Sequence, residues 1–161
     1  MTVELAAVIL TYNEARHVAD CIASVRWADR VVVFDSFSQD DTVEIAQAAG
    51  ADVVQHAFED YARQRQAALE AVEADWILFI DADERSSPEQ AEEIRSLIAH
   101  NAHNGYWIPR HNYIFGKLTR HAGWYPDYQL RLLRRGAARY DLDRQVHELV
   151  ELEGEPGHLT A

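Results

Sequence analysis

ILFIDADER, residues 77–85, is the stretch on which the fold turns. Ile77, Leu78, Phe79 and Ile80 run without a polar break, as in a parallel strand buried on both faces, and the run ends in Asp81, Asp83 and Glu84. A buried strand that finishes in carboxylates delivers them to something positive: a cation, an arginine or water.

Similar apolar runs precede it: LAAVILT at 5–11, RVVVFDS at 30–36 and ADVVQHA at 51–57, with WILFIDAD at 76–83 as the fourth. Helical spacing between them predicts helices from Glu14 to Arg26, Asp41 to Ala49 and Tyr61 to Glu73. Asn13 and the Ser38/Asp40 pair are candidate N-caps, and Gly50 is a helix terminator. Ser87-Pro88-Glu89-Gln90 combines an N-cap, a Pro at N1 and a capping-box Gln, opening a fourth helix that runs to His100. Strand and helix alternating with short links predict an α/β fold around a Rossmann-like, mostly parallel sheet.

After Gly105 the texture shifts to aromatics, Arg and His. GYWIPRHNYIF and YQLRLLRR each predict a strand, so 102–161 is expected to form a smaller mixed or antiparallel region beside the first half, 1–101. At 161 residues both belong to one domain. The tail ELEGEPGHLTA shows no terminal strand or helix, so it is expected either to fray or to continue into a longer chain. Continuation is favoured, because a strand ending near Glu151 would leave its neighbours' faces uncovered.

Fifteen basic against 27 acidic residues give a net charge of −12, which opposes a nucleic-acid partner and an anionic membrane surface alike. The single cysteine, Cys21, excludes an internal disulfide and a cysteine-rich zinc site, and its helical spacing with Val18, Ile22 and Val25 marks it as core. MTVELAAVIL is interrupted by Glu4 and lacks a cleavage site, and no run reaches membrane-spanning length. The expectation is a cytoplasmic protein, with a peripheral membrane contact through exposed aromatics left open.

In open α/β sheets ligands sit beyond the carboxyl ends of the strands, at the switch point of strand order. The residues at those ends are Thr11-Tyr12-Asn13-Glu14, Asp35-Ser36, His56 and Asp81-Ala82-Asp83-Glu84. On a regular extended chain Asp81 and Asp83 would share one face and raise each other's pKa unless a cation intervened. A hard divalent ion, Mg²⁺ or Mn²⁺, bridging carboxylate and diphosphate oxygens fits that pattern; the plainer alternative is a solvated strand end paired with Arg85. Neither GxGxxG nor GxxxxGK[ST] occurs, so a diphosphate would have to be held by metal.

AVILTYNEARHVADCIASV, VVVFDSFSQDDTVEIAQAAGADV, ARQRQAAL and WILFIDADE, in this order and spacing from Leu5 to Glu84, resemble the nucleotide-sugar half of family 2 glycosyltransferases with the GT-A fold. The resemblance implies that Thr11, Asn13 and Glu14 contact the nucleotide and that Asp35 reads the base and ribose. It implies further that Arg65 approaches base or phosphates, Asp81 meets the ribose or metal side, and Asp83 ligates the metal. Phe37 and Asp41 stand where the family often has Gly, which puts the shape of the second loop in question. The second half, with GYWIPRHNYIFGKLTRHAGWYPDYQLRLLRR and DRQVHELV, is similar to bacterial transferases that extend lipopolysaccharide core or related surface glycans.

The resemblance therefore implies a metal-dependent, inverting transfer of a hexose from a nucleotide-diphosphate sugar, with UDP as the expected nucleotide, to a glycan or glycolipid acceptor. Asp127, among Trp124, Tyr125 and Tyr128, is the first candidate for the base that takes the acceptor's proton, against a plain turn acid. His147-Glu148 is the rival pair, with His147 as a metal ligand and Glu148 as base or acceptor contact, against a half-exposed strand end. Of Arg131, Arg134 and Arg135, Arg131 alternates with Leu130 and Leu132 and is the inward one. A phosphatase using Asp81 as nucleophile is disfavoured by the site's place on the fourth strand, and a noncatalytic sugar-nucleotide or glycan-binding module is the remaining alternative.

Overall fold

The computed structural model describes residues 3–109, 112–114, 117–119, 128–143 and 150–161, with the backbone alone at 112–114 and 117–119. Four parallel strands form its centre: β1 Leu5–Thr11, β2 Arg30–Asp35, β3 Asp52–Gln55 and β4 Trp76–Asp81. Both β2 and β4 pair with β1, so strand order reverses there. Register places Thr11 opposite Asp35 and Leu10 opposite Asp81, aligning three strand ends at the mouth of that switch point.

Connecting helices are α1 Val18–Ser24, α2 Thr42–Ala48, α3 Tyr61–Ala71 and α4 Pro88–His100. They cover both faces of β1, β2 and β4, which is why those strands read as unbroken apolar runs, whereas the edge strand β3 is largely exposed despite its apolar sequence. Ile9 and Val33 pack with Val18, Ile22 and Ala46; Val8, Phe34 and Phe79 pack with Leu69; Leu5 and Trp76 pack with Ile94 and Ile98.

Helix α4 matches its expected bounds, and Ser87 Oγ accepts from Gln90 N at 3.1 Å. The other half of the expected capping box is replaced: the Gln90 amide points to the Ala161 carbonyl at 3.5 Å. Helix α1 starts at Val18 rather than Glu14, because Asn13 takes a left-handed φ of 53° and is not an N-cap. Helices α2 and α3 lose a residue or two at their ends, and α3 is capped by Asp60, whose carboxylate accepts from Arg63 N at 2.8 Å. Gly50 ends α2 with φ 92°, a conformation that costs glycine nothing.

Beyond α4 come β5 Gly105–Pro109, β6 Asn112–Ile114, β7 Lys117–Thr119, β8 Tyr128–Arg134, β9 Ala138–Tyr140, β10 Val150–Leu152 and β11 Gly157–His158. The stretch GYWIPRHNYIF is thus two strands, β5 and β6, where one was expected. Strand β8 pairs antiparallel with both β4 and β5, extending the main sheet to seven strands in the order β11-β5-β8-β4-β1-β2-β3. The second half therefore shares one sheet with the first.

The tail neither frays nor lacks a strand. Strand β10 pairs with β9, β11 pairs with β5, and Leu159 is fully buried against Leu5, Trp76 and Tyr106. Glu93 on α4 accepts hydrogen bonds from the backbone of Thr160 and Ala161 at 2.8 Å each.

Candidate active site

Loops after β1 and β2 are tied together before either meets a ligand. Asn13 N donates to Ser38 Oγ at 2.8 Å, Asn13 Oδ1 accepts from Gln39 N at 2.8 Å, and Glu14 N donates to Thr42 Oγ1 at 2.9 Å. Asp35 anchors this junction from below: Thr11 Oγ1 donates to it at 2.7 Å, Ser38 N and Oγ at 2.8 and 2.6 Å, and Gln55 Nε2 at 3.4 Å. Burial pushes the Asp35 carboxyl's pKa up, but the hydrogen bonds from Ser38, Thr11 and Gln55 more than offset this and hold it below the ordinary aspartate value. Phe37 adopts a left-handed backbone, with φ 58°.

After Asp81 the chain does not stay extended. Glu84 N donates to the Asp81 carbonyl at 2.9 Å, closing a turn, while Glu84 Oε1 accepts from Asp81 N at 2.7 Å. Asp81 and Asp83 therefore do not share a strand face; the turn leaves Asp83 exposed while Glu84 is buried. Arg65 Nη2 from α3 and Arg131 Nη1 from β8 both reach Asp81 Oδ1 at 3.3 Å, and Arg131 also lies 4.0 Å from Glu84 Oε1. Arg65 rests on the face of Phe79, 5.2 Å from its centroid.

Arg131 is the inward arginine. Its neighbours face elsewhere: Arg134 bonds Asn101, and Arg135 donates to the carbonyls of Leu69 and Glu70 at 2.7 and 2.8 Å, closing the end of α3. Arg85 turns back on the carbonyls of Ala82 and Glu84, both at 2.7 Å, and so stabilises the acidic turn rather than pairing its carboxylates.

These elements surround a cavity of about 630 Å³. Thr11, Glu14, Arg65, Asp81 and Asp83 line it together with Arg131; the buried Asp35 and the exposed Asn13 are not among the lining residues and instead hold the two loops together. Ser36 and Gln64, along with the exposed aromatics Tyr12, Phe58 and Tyr61, also face the cavity. Ser36 was visible only as a strand-end residue, and Phe58 and Tyr61 carried no signal, because exposed aromatics gain meaning only when a cavity gathers them. Asp127, His147 and Glu148 lie outside the described residues.

Glu14 has a raised pKa, chiefly from burial, with Asp83, Asp81 and Asp40 adding to it against the opposing effect of His17. The carboxylates of Asp83, Asp81 and Asp40 thus place negative potential at Glu14, surroundings that suit a hard divalent ion with oxygen ligands. Among the described residues no three His, Cys, Asp or Glu side chains converge on a single point that could hold such an ion.

The sequence profile of Glycosyl transferase family 2 matches residues 6–145. This chain belongs to glycosyltransferase family 2. Among its relatives is the lipopolysaccharide core biosynthesis glycosyltransferase LpsC of Rhizobium meliloti, 34% identical over 96% of this chain and 59% of its own length. A glycosyltransferase of Rickettsia conorii is 41% identical over 66% of this chain and 38% of its own length. The chain thus spans less than two thirds of the length of these family 2 relatives.

Solved GT-A structures share the fold. S. aureus TarS residues 1–349, solved with UDP-GlcNAc, superposes with a TM-score of 0.59 at 19% identity, covering 76% of this chain and 38% of TarS. Glucosyl-3-phosphoglycerate synthase of Mycobacterium tuberculosis, solved with Mn²⁺ and UDP-glucose, superposes at 0.58 with 22% identity over 66% of this chain and 43% of the synthase. No helix among the described residues of this family 2 chain is long and apolar enough to cross a membrane.

Proposed function

We propose that this chain is the domain of a metal-dependent, inverting transferase that moves a hexose from a nucleotide-diphosphate sugar, UDP-linked, to a glycan acceptor of the lipopolysaccharide core class. The observation that carries this is the cavity at the switch point, where Thr11, Glu14, Asp81, Asp83, Arg65 and Arg131 converge from four elements. Family membership, the name of the LpsC relative and the nucleotide sugars bound by TarS and the mycobacterial synthase support it.

Asp83 and substrate diphosphate would hold a Mg²⁺ or Mn²⁺ ion, with His147 as the further candidate ligand. That ion supplies charge neutralisation on the departing diphosphate. Arg65 and Arg131, fixed on Asp81, keep positive charge beside the same phosphates. Asp127 is assigned the acceptor's proton, with Glu148 as its alternative. The single domain divides its work between 1–101 for the donor and 102–161 for the acceptor.

Calorimetry with UDP and Mn²⁺ tests the donor site: binding should be strong for the wild type and lost in Asp83→Ala, and metal-independent binding would overturn the assignment of Asp83. Donor hydrolysis then tests the base. Asp127→Asn should slow it by about 10²-fold or more, and an unchanged rate removes Asp127 from the role.

A further inference from the structure

Two strand spacings, about 10 Å, separate the Asp81 end of the cavity on β4 from the Ser36 end after β2. If the donor reading above holds, the acidic and arginine-rich end takes the diphosphate, and the base lies at the Ser36 end. That end has an apolar wall: Phe58 and Tyr61 are 47% and 58% exposed, with their rings edge to face at 5.1 Å. Solvent-facing aromatics of this kind suit a planar base.

What faces the base edge is set by a relay whose direction can be worked out. Gln64 is buried, and its Nε2 approaches the His56 carbonyl at 3.3 Å and Ser36 Oγ at 3.2 Å, while its Oε1 lies 2.8 Å from His56 Nδ1. A carbonyl only accepts, so the amide nitrogen must be the atom beside it. Oε1 then faces His56, which must carry its hydrogen on Nδ1. Ser36 Oγ consequently accepts from Gln64, and its own hydrogen is donated to no described residue. Toward the cavity the hydroxyl offers both a donor and a remaining lone pair.

We propose that Ser36, oriented by Gln64 and His56, is the group that meets the hydrogen-bonding edge of the nucleobase, and that this neutral two-way hydroxyl admits uracil and cytosine alike. Uracil presents an N3–H donor and cytosine an N3 lone pair at the same edge, and Ser36 can satisfy either by rotating. A carboxylate could accept from uracil but would repel cytosine's lone pair. The acid that would discriminate, Asp35, is buried and occupied by Thr11, Ser38 and Gln55.

Titration calorimetry of UDP and CDP, each with Mn²⁺, is the test. The wild type should bind the two within about fivefold of each other, the size of one neutral hydrogen bond. Ser36→Asp should favour UDP over CDP by about tenfold or more, through a charge-assisted bond to uracil N3–H. Gln64→Glu should shift preference toward UDP without altering the contacting atom: the new carboxylate accepts the Ser36 hydrogen and leaves only lone pairs facing the base. Because Gln64 is buried, thermal melts of both variants accompany the binding data, and Ser36→Asp, at a half-exposed site, carries the test if Gln64→Glu unfolds. Binding of UDP with CDP excluded by more than about 50-fold, or an unchanged ratio in Ser36→Asp, overturns this inference while leaving the donor reading intact. If neither diphosphate binds, the donor reading and this inference fall together.

Discussion

Arg131 and Asp81, 50 residues apart in sequence, meet at 3.3 Å across the antiparallel contact between β8 and β4. Arg131 belongs to the second half of the chain, yet it completes a charge cluster built by the first. Arg131→Leu removes one guanidinium from a carboxylate that the cavity partly shields from water. Urea denaturation should show a loss of about 3 kcal/mol, at the low end for breaking a buried pair because Arg65 still faces Asp81. A loss below ~0.5 kcal/mol would mean that the pair is screened like a surface one.

Asp35 should contribute to the acid limb of the stability curve. Its folded pKa is depressed, so its contribution is fully present above the ordinary aspartate value and is lost as pH falls through the lower folded value. Asp35→Asn turns an acceptor into a partial donor facing the Ser38 and Thr11 donors, and should cost about 1–3 kcal/mol at neutral pH. Its stability should also fall less steeply than wild type on acidification, and identical acid limbs would contradict the assignment.

Phe37 has a left-handed backbone that β-carbon-bearing residues enter at a cost of roughly 1–2 kcal/mol. Its side chain is 53% exposed, so little packing is lost on truncation. Phe37→Gly should therefore raise the melting temperature slightly, the relieved strain outweighing the added freedom of the unfolded chain. A drop in melting temperature would show that the Phe37 ring holds the loop.

Leu159 tests whether the tail is structural. It is fully buried beneath α4 and beside Trp76, so Leu159→Ala should cost about 2–5 kcal/mol by chemical denaturation. A change within ~0.5 kcal/mol would mean that the tail contributes nothing to the core.

Local patterns identify β1, β2, β4 and α4 because burial on both faces forces unbroken apolar runs and because an N-cap with Pro at N1 needs only neighbouring residues. The tail was misread since β11 is two residues long and exists only by pairing with β5; nothing within Gly157–His158 carries that information. Asn13 is a residue type that suits an N-cap. Its left-handed backbone comes from bonds to Ser38 and Gln39, 25 and 26 residues away.

By itself the sequence determined an α/β sheet with its carboxylates at the strand ends, because periodicity and polarity act over a few residues. Tertiary structure alone decided which of those groups face the cavity. Asp35 turned inward to satisfy donors from three elements, Ser36 took the outward position, and a turn after Asp81 separated Asp83 from it. Such choices rest on hydrogen bonds between residues distant in the chain, whose partners become neighbours only when the strands are in register.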